Sequence, residues 1–224
     1  MRKEKPTPGE YYHVFNRGND KQIIFQNPTD WARLLFLIIY LQSPRSFNNL
    51  SRQTSHFVKH SVFNISDEII EEILEKRSVE LIGFVLMSNH FHLILHEIDE
   101  NGISKYMQRI LNAYTKFFNT KYEKNGHLFQ GPYKIARITN NEQLLYLTTY
   151  IHRNPREIFE WKNKEDNYIW SSYQDYIKEN RWGKLLKNKI IMSQFKNKAE
   201  YHNFVKESPA KNLLDEKLKM DNNS

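Results

Sequence analysis

Aromatic and β-branched positions dominate Tyr11-Tyr-His-Val-Phe-Asn16 and give way to Arg17-Gly18-Asn19-Asp20, a cluster of turn formers, so this stretch reads as a first strand and a turn. Asn27-Pro28-Thr29-Asp30 then offers capping residues ahead of a helical run over residues 31–41. From 42 to about 65 the composition turns polar around Pro44, and the expectation is a solvated, mobile loop whose Arg45, Arg52, Lys59 and His60 are within reach of phosphates. Ser66 and the acidic residues after it start a short helix to residue 76. Two apolar, β-prone runs, 79–87 and 91–96, are joined through Ser88-Asn89 as a hairpin.

Helical spacing of Ile103, Met107, Ile110, Leu111, Tyr114, Phe117, Phe118 and Tyr122 predicts a long helix over 102–124. An aromatic loop framed by Gly126, Gly131 and Pro132 feeds a short strand, 133–138. Asn140-Asn-Glu-Gln caps a helix from about 142 to 152, which must stop near Asn154 because Pro155 disfavours helical geometry in the residue before it. Trp170-Ser-Ser-Tyr-Gln-Asp-Tyr176 reads as a closing aromatic segment. Beyond Lys178 the chain is rich in Lys and Asn, with one amphipathic patch at 195–205. The order strand, helix, strand, strand, helix, strand predicts an α+β, ferredoxin-like (RRM-like) fold, an antiparallel sheet with helices packed on one face. The expected domain is 1–178, followed by a basic C-terminal appendage, 179–224, whose composition does not promise order.

Charge adds a candidate partner. Lys and Arg number 33 against 26 Asp and Glu, for a net +7 at pH 7, which favours a polyanion. Thirteen Tyr and 14 Phe suit base stacking as well as core packing. The absence of cysteine excludes disulfides and thiolate chemistry and fits a reducing compartment. No apolar signal segment follows Met1-Arg-Lys-Glu-Lys-Pro6, and the longest apolar run, 34–40, is far short of the roughly 18 to 20 residues needed to span a bilayer. A cytoplasmic protein with no membrane partner is expected.

The chemistry concentrates in Asn89-His90-Phe91-His92-Leu93. On a strand, His90 and His92 point to the same side and Phe91 and Leu93 to the other, so two imidazoles form half of a divalent-metal site. His96 shares their side but lies about 13 Å from His92 by strand rise, too far to be a ligand. In Tyr146-Leu-Thr-Thr-Tyr150-Ile-His-Arg-Asn154, positions 146, 150 and 154 share one helical face. If that face lies over the hairpin, Asn154 can offer an amide oxygen as third ligand and Tyr150 a phenol to a bound phosphate; Tyr146 is its rival, and Tyr114 and Tyr122 fit core packing or base stacking better.

These residues resemble a known family. His90-Phe91-His92 followed by Tyr150-Ile-His-Arg-Asn154-Pro155 is similar to the single-tyrosine HUH transposase (IS200-like) family. Asn16-Arg17-Gly18, Met87-Ser-Asn-His-Phe-His-Leu93, Gly126-His-Leu-Phe-Gln-Gly131 and Trp170-Ser-Ser-Tyr173 resemble its REP-associated branch. The likeness runs over about 11–176. It implies cleavage and rejoining of single-stranded DNA, at hairpin-forming repeat ends, through a 5′-phosphotyrosine and with magnesium or manganese. By the resemblance His90, His92 and Asn154 match the metal ligands and Tyr150 the nucleophile, although some relatives carry Gln at the position of Asn154. Arg17, Lys134, Arg137, Arg153 and Arg156 are the candidate DNA contacts. Monomer and homodimer both stay open. Two rival readings also stay open: a non-catalytic single-stranded DNA or RNA binder on the same fold, and a metal-dependent hydrolase that uses activated water.

Overall fold

In the computed structural model, which describes residues 5–46, 49–63 and 65–208, the predicted strands form one four-stranded antiparallel sheet. Strand β1 (Tyr11–Arg17) lies between β3 (His90–Glu97) and β4 (Lys134–Ile138), and β2 (Val79–Met87) flanks β3, giving the order β2-β3-β1-β4. This is the ferredoxin-like arrangement expected from the element order.

Cross-strand partners share a face, so the register sorts the side chains. Tyr11, His13, Phe15, Arg17, His90, His92 and Lys134 fall on one face; Tyr12, Val14, Phe91, Leu93, Leu95 and Arg137 fall on the other. Helices α1 (Pro28–Tyr40) and α4 (Gly102–Lys121) cover the second face, where Tyr106 Oη donates to the carbonyl of Ile38 and Tyr114 Oη to that of Ile24, each at 2.6 Å. Helix α5 (Asn141–Arg153) crosses the first face, in contact with β2, β3 and β4. Covered from both sides, β2 buries all nine of its residues, which is why Val79-Glu-Leu-Ile-Gly-Phe-Val-Leu-Met87 is apolar almost throughout rather than alternating. The opposite edge, β4, faces water, and its charged side chains guard it against adding a further strand.

Two expectations are corrected. The polar stretch 42–65 is not a loop throughout: Leu50–His60 forms helix α2, with Leu50, Thr54 and Phe57 as a narrow buried stripe and the Phe57 ring packed edge-on against Phe36 of α1. One stripe at helical spacing is enough to seat a helix, and the polar residues around it mask that stripe in the composition. Short helix α3 (Asp67–Lys76) stands where expected, and the closing aromatic segment runs into a short helix, α6 (Tyr173–Ile177).

The predicted domain boundary at 178 does not exist in the packing. Trp182 is 1% exposed among Phe36, Phe57, Phe63 and Phe84. Segment 170–172 hydrogen-bonds to the outer edge of β2 through Leu86 N to Trp170 O and Ser172 N to Phe84 O, and Lys187 N reaches Leu81 O further along the same strand. After the short α7 (Lys189–Met192), helix α8 (Lys198–Glu207) buries Tyr201 against α5 and α6. The chain to 208 therefore belongs to the core, and the rest of the expected appendage, 209–224, lies outside the described residues. Among the described residues no helix is long and apolar enough to cross a membrane.

Candidate active site

The two histidines stand at the start of β3 because the chain braces the turn before them. Gly18 N donates to Asn89 O at 2.7 Å, Ile24 N to Ser88 O at 3.0 Å, and Asn89 Nδ2 to the carbonyl of Lys21 at 3.0 Å. A side chain at position 18 would run into the carbonyl oxygen of Gln22, so the close approach requires glycine there. With its Nδ2 so committed, Asn89 turns its Oδ1 to His90 Nδ1 at 2.7 Å. An amide oxygen only accepts, so His90 carries its proton on Nδ1 and leaves the Nε2 lone pair available.

His92, 6% exposed, has its Nδ1 2.9 Å from Nε2 of His13 on the neighbouring strand. The His90 and His92 rings meet nearly at right angles with centroids 5.2 Å apart. Burial is the main reason that both titrate below the ordinary imidazole range, His92 well below; the nearby charge of Arg17 pushes the same way on both. Burial likewise takes His13 down to about 3. At neutral pH the imidazoles are therefore uncharged and able to act as ligands.

Helix α5 brings the remaining groups. Its N-terminus is fixed by the Asn140 side chain, which accepts from Gln143 N at 2.8 Å. The Tyr150 ring stands edge-on to His92, with centroids 5.6 Å apart and planes at 87°. Asn154 follows directly on α5 with helical backbone angles and is 1% exposed. Its carboxamide lies near enough to His90 to favour the protonated ring, yet neither Oδ1 nor Nδ2 closes a regular hydrogen bond. A buried amide left without partners costs free energy unless something occupies it, so this orphan beside two neutral imidazoles fits a cation ligand. Among the described residues no three His, Cys, Asp or Glu side chains converge, so any donor set here is two imidazoles and an amide.

Tyr146 shares helix α5 with Tyr150, one turn earlier, whereas the other two helical tyrosines are placed elsewhere. Tyr114 is locked in the core by its bond to Ile24, and Tyr122 donates to Asp30 at 2.7 Å, both on the α1 and α4 side. His96 stacks on Tyr11 and bonds Glu80, apart from the pair.

The candidate DNA contacts divide. Arg17, opposite His90, and Lys134, which shares partner Phe15 with His92, are exposed on the face of the site. Arg137 falls on the other face and forms an ion pair with Glu10. Arg156 pairs with Glu165, and Arg153 is partly buried beside them with its Nε and Nη1 lacking hydrogen-bond partners. A cleft between α4 and the 127–133 loop, lined by Gln108, Asn112, Lys116, His127 and Tyr133, includes none of the site residues.

The family model described as "Transposase IS200 like" matches residues 50–154. A REP-associated tyrosine transposase solved bound to a REP hairpin superposes with a TM-score of 0.51 at 15% identity, over 80% of this chain and 85% of that one, which is a likeness of fold. No curated protein sequence matches. The matched residues hold the hairpin, Tyr150 and Asn154, and over that stretch this chain is similar to the IS200-like transposases.

Proposed function

We propose that the protein cuts and rejoins single-stranded DNA at hairpin-forming repeat ends, with Tyr150 as nucleophile. The observation that carries this reading is the Tyr150 ring standing 5.6 Å from the His92 ring, on the sheet face that also holds His90. His90 Nε2, the free nitrogen of His92 and Asn154 Oδ1 would hold a divalent ion, magnesium or manganese. Bound there, such an ion withdraws charge from the scissile phosphate and stabilises the charge that develops in the transition state.

The remaining work falls to the chain's own residues. Arg17 and Lys134 flank the site on its open face and steer the DNA backbone past it. The Tyr150 oxygen attacks phosphorus and loses its proton; the bond to the 3′-oxygen breaks and that oxygen gains a proton, leaving a 5′-phosphotyrosine and a free 3′-hydroxyl. The phosphodiester is conserved in the intermediate, so a second 3′-hydroxyl can reverse the step without ATP. Asn154 lies one helical turn beyond Tyr150, so the rigid helix sets nucleophile and ligand together.

The test is incubation with single-stranded hairpin oligonucleotides, with and without manganese, followed by denaturing gels. A covalent protein–DNA band is expected only with the metal, and Tyr150→Phe is expected to lower it at least a thousandfold while DNA binding is retained. Cleavage that survives Tyr150→Phe would point to activated water as the nucleophile. Binding without any cleavage by the unaltered protein would leave the non-catalytic reading.

A further inference from the structure

We propose that His13, on β1, is a positioning residue for this site: its Nε2 accepts the Nδ1 hydrogen of His92 and so leaves His92 with its lone pair on Nε2. The role rests on the reading of His92 as a cation ligand.

The geometry is that of an N–H···N bond. The nitrogens are 2.9 Å apart, and the ring centroids are 5.1 Å apart with planes within 21°. An imidazole nitrogen lies a little over 1 Å from its ring centre, so these values describe two nearly coplanar rings meeting edge to edge. Phe15, on the same face, keeps them so, with its centroid 4.7 Å from His13 and 5.5 Å from His92. The two histidines sit on the two central strands, offset by two residues in register from Phe15↔His92 to His13↔Ile94, and both are nearly water-free.

A single proton lies between the two nitrogens, and its owner decides what His92 can do. If His13 donated it, the neutral His92 would carry its hydrogen on Nε2 and would have no lone pair left for a cation. If His92 donates it, Nδ1 is protonated, Nε2 is free, and the ring is held in one orientation by a partner fixed on the next strand. Metal-ligating histidines commonly hold their second nitrogen in this way, and loss of the partner costs about 10- to 100-fold in metal affinity. Packing alone does not call for histidine at 13, because a phenylalanine would fill a buried strand position as well.

Two measurements test the role on the full chain. In metal-free protein, long-range proton–nitrogen correlation spectra should show His92 and His13 both protonated on Nδ1; a hydrogen on Nε2 of His92 would overturn the proposal. In manganese titrations followed by electron paramagnetic resonance, His13→Phe should weaken affinity by about 10-fold or more. His13→Gln places an acceptor oxygen close to where Nε2 lies and should stay within about threefold of the unaltered protein. Equal affinity for the two variants, at matched unfolding midpoints, would reduce His13 to a packing residue and overturn the proposal. His92→Ala runs in parallel: if it leaves manganese affinity unchanged, the cation reading itself fails and this role goes with it. If it abolishes affinity while His13→Phe does not, only the role of His13 falls.

Discussion

Gly83 of β2 and Ile151 of α5 approach so closely that a Cβ at position 83 would lie 3.1 Å from Ile151 Cδ1 and 3.4 Å from Ser172 Oγ. The missing side chain is what lets the tyrosine helix settle onto the sheet at its observed height. A Gly83→Ala chain should be nearly as stable as the parent, since the end of the isoleucine can give by a few tenths of an ångström. Gly83→Val should cost about 1–3 kcal/mol through overpacking and should lower the yield of covalent adduct more than it lowers DNA binding. Denaturant midpoints and adduct gels measure both; a valine variant with full adduct yield would show that the helix height does not matter to cleavage.

Asn154 should matter to the cation and hardly at all to the fold. Neither end of its buried carboxamide closes a regular hydrogen bond, so replacing it by a shape-matched apolar group removes a desolvated, unsatisfied amide. Asn154→Leu is therefore expected to leave the unfolding free energy unchanged or slightly raised, while manganese affinity drops about tenfold or more. Urea unfolding and manganese titration of the same preparation separate the two effects; a large loss of stability with unchanged affinity would assign the residue to the core instead.

The strand register predicts which cations feel the DNA. Arg17→Ala or Lys134→Ala should each weaken binding to single-stranded oligonucleotides and reduce the slope of log K against log salt by about 0.7, the expectation for one phosphate contact. Arg137→Ala should leave the slope unchanged, because that side chain sits on the opposite face in an ion pair with Glu10. Fluorescence anisotropy over a salt series provides the comparison, and a slope change for Arg137 equal to that for Arg17 would contradict the placement.

Acid should destabilise the metal-free protein from a definite point. His152 is fully buried, with Nε2 2.8 Å from Ser172 Oγ and Nδ1 2.7 Å from the Tyr201 hydroxyl, and burial lowers it from 6.5 to about 3. The unfolded chain then takes up a proton that the folded chain refuses, so stability is complete above about pH 6.5 and declines below it by about 1.4 kcal/mol per pH unit. His13, at about 3 for the same reason, adds a second contribution of like size and sign. Urea midpoints should be flat from pH 8 to 7 and fall between 6 and 5, and His152→Gln should show a shallower fall. Identical slopes for the two chains would argue that His152 keeps a higher affinity for its proton.

The central hairpin and the last sheet-packed helix were legible in sequence because their signals are local. A period of two puts His90 and His92 on one side, and a spacing of four stacks Tyr150 and Asn154. Arg137 was grouped with Lys134 as a DNA contact, although three residues along a strand place the two on opposite sides. His13 was not legible: its meaning comes from a partner 79 residues away, and only the register of β1 on β3 makes them neighbours. The sole local trace was the alternation Tyr11, His13, Phe15, which put a polar ring on a face already known to carry imidazoles only once the strands were paired. The tail misled because composition averages over residues, whereas one tryptophan at 182 and one tyrosine at 201 seat an otherwise lysine-rich stretch in the core.

The bond from Tyr201 to His152 and from His152 to Ser172 clasps α5 between α8 and the segment that edges β2. Were two copies of the chain to trade their nucleophile-bearing helices, each would first have to pull a fully enclosed tyrosine and histidine apart and expose both to water. Each molecule is therefore expected to keep its own phenol beside its own imidazoles, and a mixture of a Tyr150→Phe chain with a His90→Ala, His92→Ala chain should not regain activity by complementation; recovered adduct in the mixture would show that the helices are exchanged.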